Sequence, residues 1–169
     1  MFGLTTLGFI HTLISLVALA AGFAALVRDG AIASDNRLGQ VYLWATVLTC
    51  LTGFGIFQHG GFGKPHALGV MTLLVLALAA VAERTALFGR AAIYVATLSY
   101  SLTVFFHFVP GVTETFTRVP AGAPLFSSPE DPALEKVVGA IFLLFLVGAT
   151  LQVRRLRASR PAQGVTRLA

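Results

Sequence analysis

The sequence predicts an all-α membrane protein, a polytopic bundle of transmembrane helices. Of its 169 residues, 56% are hydrophobic and only 11% are charged, and the mean hydropathy is +0.84. A soluble domain carries about 25% charged residues, so a surface that faces water cannot be built from this composition. The apolar residues are also gathered into long uncharged segments, and a helix is the element that satisfies its own backbone in lipid.

Five of these segments are predicted to cross the membrane. Each is close to the roughly 20 residues that a helix needs to span the hydrocarbon core. The first is expected to be a retained span rather than a signal peptide, because no Lys or Arg precedes its apolar run. Together the segments form one predicted transmembrane domain, residues 1–153, with spans at about residues 4–27, 41–57, 67–82, 91–109 and 137–153.

The placement of Lys and Arg predicts that the N-terminus is outside and the C-terminus is in the cytoplasm. Basic residues accumulate on the cytoplasmic side of membrane proteins. The proposed outer side then holds Lys64, Arg118 and Lys136, whereas the inner side holds Arg28, Arg37, Arg84, Arg90, Arg154, Arg155, Arg157, Arg160 and Arg167. Residues 154–169 are therefore predicted to be a basic cytoplasmic tail. Because the net charge of +5 comes largely from this flank, no nucleic-acid partner is expected.

One long connection is predicted on the outer side, at residues 110–134. It contains five of the seven prolines, at positions 110, 120, 124, 129 and 132, and the missing N–H of proline interrupts helices. A loop of this length in a small protein is often functional, as a lid or as a docking surface.

The four histidines are predicted to gather at the outer side. His59 and His66 flank the turn between the second and third spans, and His107 lies near the outer end of the fourth. His11 lies inside the first span, on a face of small and polar residues that includes Gly8 and Ala18. Small residues mark the faces where membrane helices approach each other, so His11 is expected to point into the bundle.

This arrangement predicts a cofactor site. Neutral imidazole is a ligand of Zn, Cu and Fe, and two imidazoles can hold a b-type haem. We expect a transition-metal site formed by His11, His59, His66, His107 and Glu114. The first alternative is a haem b between His11 and His107, which would make the protein an electron carrier.

Other functions stay open at this point. The histidines can simply tie helices together in a non-enzymatic accessory or structural subunit, and a small transporter or channel is a further alternative. The sequence has no recognised enzyme motif in a supporting context, so no catalytic residues are predicted. The single cysteine, Cys50, excludes an internal disulfide.

The stretch Asn36-Arg37-Leu38-Gly39-Gln40-Val41-Tyr42 resembles a group of uncharacterised bacterial multi-pass membrane proteins with a domain of unknown function. Those proteins carry a His-Arg-x-x-Gly-x-x-Tyr pattern before a helix, and Asn36 stands where they have histidine. The histidine-bearing helices are also similar in layout to cytochrome b561-like membrane haem proteins. We expect a location in a bacterial cytoplasmic (inner) membrane. The surroundings would be lipid, with another membrane protein or a second copy of the chain as an open partner.

Overall fold

The computed structural model describes residues 5–57 and 61–159, and within them every regular element is a helix. The predicted all-helical class is therefore confirmed. A short 3₁₀ turn, Gly89–Ala91, leads into the fourth α-helix. The five α-helices are α1 (Thr6–Asp29), α2 (Arg37–Gly53), α3 (Lys64–Arg84), α4 (Ala92–Phe116) and α5 (Pro132–Ala158).

Side chains at the helix ends explain where several helices begin and stop. The first N–H groups of a helix lack partners inside it, and a short polar side chain can accept from one of them. Thr5 accepts from the N–H of Gly8 at 3.1 Å, and Asn36 accepts from that of Gly39 at 2.8 Å. At the other end of α1, Gly30 adopts the left-handed conformation, with φ of 72°. That conformation suits glycine and ends the helix.

The helices form a closed ring of four with a fifth helix outside it. In the described residues α1 packs on α2, α2 on α3, α3 on α4, and α4 closes the ring against α1, while α5 packs on α4. Small side chains on α1 make the close approach possible: Ala18 and Ala25 are fully buried. Gly22 lies so near α2 that a Cβ atom there would come within 2.8 Å of the Tyr42 ring.

Contacts between helix ends show that neighbouring helices alternate in direction. At one end, Ser34 of the α1–α2 connection bonds to Glu83 near the end of α3. At the opposite end, Phe54 lies beside Gly69 near the start of α3. We call these the Glu83 end and the His11 end. Helices α2 and α3 therefore run antiparallel between the two ends.

Four helices among the described residues are long and apolar enough to cross a membrane: α1, α3, α4 with its preceding turn, and α5. The prediction of membrane-spanning helices is therefore confirmed by length and composition for these four helices. Helix α2 has 17 residues, or about 25 Å at about 1.5 Å per residue. It is thus shorter than the roughly 30 Å hydrocarbon core.

Two helices, α4 and α5, extend beyond the predicted spans by five residues or more at one end or both. Helix α4 continues through Pro110 to Phe116 instead of ending near residue 109. Proline costs one backbone hydrogen bond, but the turn that follows gains others, since the hydroxyl of Thr113 donates to the carbonyl of Val109 at 2.8 Å. Helix α5 begins at Pro132, before the predicted start at residue 137, and continues to Ala158, inside the predicted tail. The connection between them therefore covers residues 117–131.

Polar contacts fasten the outer helix α5 at the Glu83 end. Gln152 accepts from the hydroxyl of Ser101 on α4 at 2.9 Å and donates to the carbonyl of Gly30 at 2.9 Å. Arg155 donates to the carbonyl of Asp29 at 2.9 Å. These bonds satisfy carbonyls that the end of α1 leaves free, and they hold α5 against α1 and α4 together.

Candidate functional site

A column of polar side chains lies where α2 and α4 face each other inside the ring. The hydroxyl of Tyr42 lies 2.6 Å from that of Thr103, and the Thr46 hydroxyl lies 3.0 Å from Nε2 of His107. The partners advance by four residues on both helices, so they form successive levels about 6 Å apart along parallel helices. Tyr42, Thr46 and Thr103 are completely buried, and His107 is 9% exposed.

The column continues to the Glu83 end. The hydroxyl of Tyr100, one turn before Thr103, donates to Glu83 at 2.8 Å. The same carboxylate oxygen accepts from Ser34 at 2.7 Å. Glu83 itself is exposed, so this end of the column meets the surroundings of the bundle.

His11 occupies the opposite end of the column. Its Nδ1 lies 3.1 Å from the hydroxyl of Thr52, and the backbone carbonyl of Thr49 is a second polar neighbour of the ring. The ring also rests on Gly53, where a Cβ atom would come within 3.2 Å of Cε1. The glycine at this position thus lets the half-buried imidazole approach the backbone of α2.

His11 and His107, the predicted haem pair, both bond to side chains of α2. They come from α1 and α4, and both are held by threonines of α2. The two rings are close enough to interact electrostatically, and His11 also interacts electrostatically with Glu114. Glu114 forms an ion pair with Arg118 one turn later on the same face. His11, His107 and Glu114 therefore belong to one neighbourhood at the His11 end.

His66 lies in a different environment. Its ring is stacked on Phe57, with centroids 5.0 Å apart, and packs against Phe62 at 5.2 Å. Its Nδ1 accepts from the N–H of Gly63 at 3.2 Å, which leaves the hydrogen of the neutral ring on Nε2. A nitrogen that carries its hydrogen does not bind a metal, so this arrangement makes His66 a helix-capping residue.

The predicted five-ligand set is only partly assembled. His59 lies outside the described residues. Among the residues that the structure describes, no group of three or more His, Cys, Asp or Glu side chains is arranged to hold a metal ion.

Protein atoms contact both rings away from their free nitrogens. A haem held by two imidazoles needs a flat gap between them, with the ligand nitrogens about 4 Å apart. Here His11 rests on Gly53, and His107 meets the edge of Tyr42 with centroids 6.2 Å apart. One face or edge of each ring is therefore occupied by protein. Two imidazoles and a carboxylate are a donor set suited to Zn²⁺, Cu²⁺ or Fe²⁺, and two imidazoles alone can hold a haem iron.

Sequence reasoning missed the part that α2 plays in this site. Thr46 and Thr52 hold the two histidines, and Tyr42 closes the column below them. The available signal was the recurrence of Tyr42, Thr46, Thr49 and Thr52 at steps of three and four residues, which places them close together on a helix.

The chain was also compared with known proteins. No family model matches it, and neither a curated protein nor a solved structure gives a significant match. The resemblance to bacterial multi-pass proteins therefore stays a prediction.

Proposed function

We propose that this chain is a membrane protein with five spans that binds one transition-metal ion between His11 and His107. Glu114 is the proposed third ligand, reached when its carboxylate leaves Arg118. The observation that carries the proposal is that two intramembrane imidazoles from different helices are each held by a hydroxyl of α2. Ionisable residues inside spans are costly and are commonly functional.

The surroundings of the pair support a metal ion in particular. Metal-binding histidines usually bond through their other ring nitrogen to a second protein group, which orients the ring. Thr52 supplies such a partner to His11. Glu114 is half-exposed at the same end, so its carboxylate has an open side from which an ion can enter. The aromatic surroundings of His66 give no comparable arrangement, and we leave it out of the site.

Metal content tests this function. Protein purified in mild detergent should carry about one Zn, Cu or Fe per chain by elemental analysis, the stoichiometry expected for a single site. His11→Ala and His107→Ala should each lower the metal affinity by at least about 100-fold. Loss of a group that only orients a ligand costs up to about 100-fold, and loss of the ligand itself should cost no less. His66→Ala is the matched control and should retain the metal.

Two results would overturn the metal proposal. One is a metal-free wild type that also fails to take up added Zn²⁺, Cu²⁺ or Fe²⁺. The other is metal that is retained in both histidine variants. A Soret absorption band lost in the same variants would replace the metal with haem.

A second candidate is an accessory subunit whose histidines only connect helices. The bonds from His11 and His107 to threonines of α2 favour it, because such bonds are worth about 0.6 kcal/mol each between membrane helices. In this case each histidine variant should lose about the free energy of its one bond to α2, and the wild type binds no metal.

The proposal includes the orientation, with the Glu83 end in the cytoplasm. The C-terminal ends of α1, α3 and α5 carry Arg28, Arg84 and Arg155, and contacts of Ser34 and Asp29 bring these three ends together. Basic residues favour the cytoplasmic side. Helix α2 is the fifth span. It is shorter than the hydrocarbon core, but α1 and α3 pack on either side of it and cover it.

Single-cysteine labelling tests the topology. In a Cys50→Ala background, Ala121→Cys lies in the connection before α5 and Ala86→Cys lies between α3 and α4, both at exposed positions. We expect a membrane-impermeant maleimide to label Ala121→Cys in intact cells. It should label Ala86→Cys only after the membrane is opened. The reversed pattern would invert the orientation, and labelling of both sites from outside would contradict an odd number of spans between them.

A further inference from the structure

We infer that Thr52 is a positioning residue that keeps the proton of His11 on Nδ1, and so makes Nε2 the nitrogen that binds the metal. This inference rests on the proposed function for its second half. The first half, the position of the proton, concerns the chain alone.

The direction of the Thr52 hydroxyl carries the argument. A threonine hydroxyl has one proton to donate and lone pairs with which to accept. Its oxygen lies 2.8 Å from the carbonyl oxygen of Leu48 and 3.1 Å from that of Thr49, and carbonyl oxygens only accept. The Thr52 proton is therefore used on the backbone of α2, as is common for threonine inside a helix. The oxygen then faces Nδ1 of His11 at 3.1 Å as an acceptor.

An acceptor beside Nδ1 requires a hydrogen on that nitrogen. The backbone carbonyl of Thr49 is a further polar neighbour of the ring, and a carbonyl oxygen can only accept. A neutral imidazole has one N–H, and Nε2 is therefore left with its lone pair. Gly53 completes the arrangement because its missing side chain leaves room for the Nδ1 and Cε1 edge of the ring against α2, at 3.6 and 3.2 Å from the place of a Cβ atom.

The two ring nitrogens of His11 therefore have different roles. Nδ1 bonds to α2 and fixes the ring orientation, while Nε2 is the nitrogen available to an electrophile. Loss of such a partner typically weakens metal binding by about 10- to 100-fold. The position of the proton on His107 does not follow in the same way, because the Thr46 hydroxyl can either donate to Nε2 or accept from it.

The tautomer can be measured without metal. Histidine labelled with ¹⁵N in the metal-free full-length protein, at a pH where the imidazole is neutral, should show His11 with a protonated Nδ1, the signal being assigned by its loss in His11→Ala. Thr52→Ser should keep this signature because the hydroxyl remains. Thr52→Val keeps the shape and removes the acceptor, so the spectrum should shift towards the Nε2-protonated form.

Zn²⁺ titration of the same proteins gives the second measurement. Thr52→Val should bind Zn²⁺ about 10- to 100-fold more weakly than the wild type, and Thr52→Ser should bind with nearly wild-type affinity. Thr150→Val is the matched control, since Thr150 also donates to its own helix, at 2.8 Å, but on the exposed side of α5. It should change neither the spectrum nor the affinity.

The outcomes separate this inference from the proposed function. A wild-type His11 protonated on Nε2 would overturn the inference, and so would a Thr52→Val protein with unchanged tautomer and unchanged Zn²⁺ affinity. If the wild type shows the Nδ1–H form but takes up no Zn²⁺, the proton assignment holds and the proposed metal function fails.

Discussion

Gly39→Ala should strongly lower the free energy of unfolding of the protein. A Cβ atom at this position would overlap the backbone carbonyl oxygen of Ala33 and come within 2.7 Å of its carbon. Neither side can yield easily, because Asn36, between these two residues, caps the helix by accepting from the N–H of Gly39 at 2.8 Å. Overpacking typically costs about 1–3 kcal/mol, and we expect the upper end or more here since the obstacle is backbone.

Unfolding of the purified protein in detergent, followed by circular dichroism, measures this effect. Gly148→Ala is the control because nothing lies within 4 Å of a Cβ atom at that position in α5. It should be neutral or stabilising by up to about 1 kcal/mol, since alanine is the better helix former. Equal stability of the two variants would mean that the α1–α2 connection does not pack over α2 as described.

Tyr42→Ala should cost about 3–5 kcal/mol, the range found when large buried aromatic side chains are truncated. The side chain is completely buried and lies against Gly22 of α1 and the edge of the His107 ring. Its hydroxyl also bonds to Thr103. Truncation therefore removes the packing between α1, α2 and α4, and Thr103 keeps only its bond to the carbonyl of Tyr100.

Two further variants divide this effect into its causes. Tyr42→Phe retains the ring and should cost only about 1 kcal/mol, the net value of a typical hydrogen bond. Trp44→Ala truncates a larger aromatic two residues away, but its side chain is 68% exposed, so we expect a far smaller loss. A Tyr42→Ala protein as stable as the Trp44→Ala protein would contradict the packing of α2 inside the ring.

The position of Tyr42 also links stability to the site. Its ring supports His107 from one side, and the next level of the column is the bond from Thr46 to that histidine. A variant that loses this support frees His107 to reorient, so metal binding by Tyr42→Phe should be closer to that of the wild type than binding by Tyr42→Ala. Measurements of Zn²⁺ affinity in folded samples of both variants separate support of the ring from support of the fold.

The sequence by itself determined the helical class and the approximate places of the apolar helices, because hydrophobic length and the absence of charge act locally. It also identified the small-residue face of α1, and the burial of Gly8, Ala18 and Gly22 agrees with that prediction. The grouping of His11 with His107 in one site stays a prediction from the sequence. Helix ends were less predictable: α4 continues through Pro110, since proline removes one bond but does not forbid the turns that follow.

Only the tertiary structure decided which partner each histidine receives. His66 and His107 are the same residue type, yet one caps α3 between Phe57 and Phe62 and the other bonds to Thr46. The difference depends on the rotation of each helix and on what the neighbouring helix presents at that depth. Hydropathy does not encode either property, because a threonine that faces a histidine and a threonine that faces its own backbone contribute equally to it. The separation of His66 from the pair is therefore a result of packing between helices.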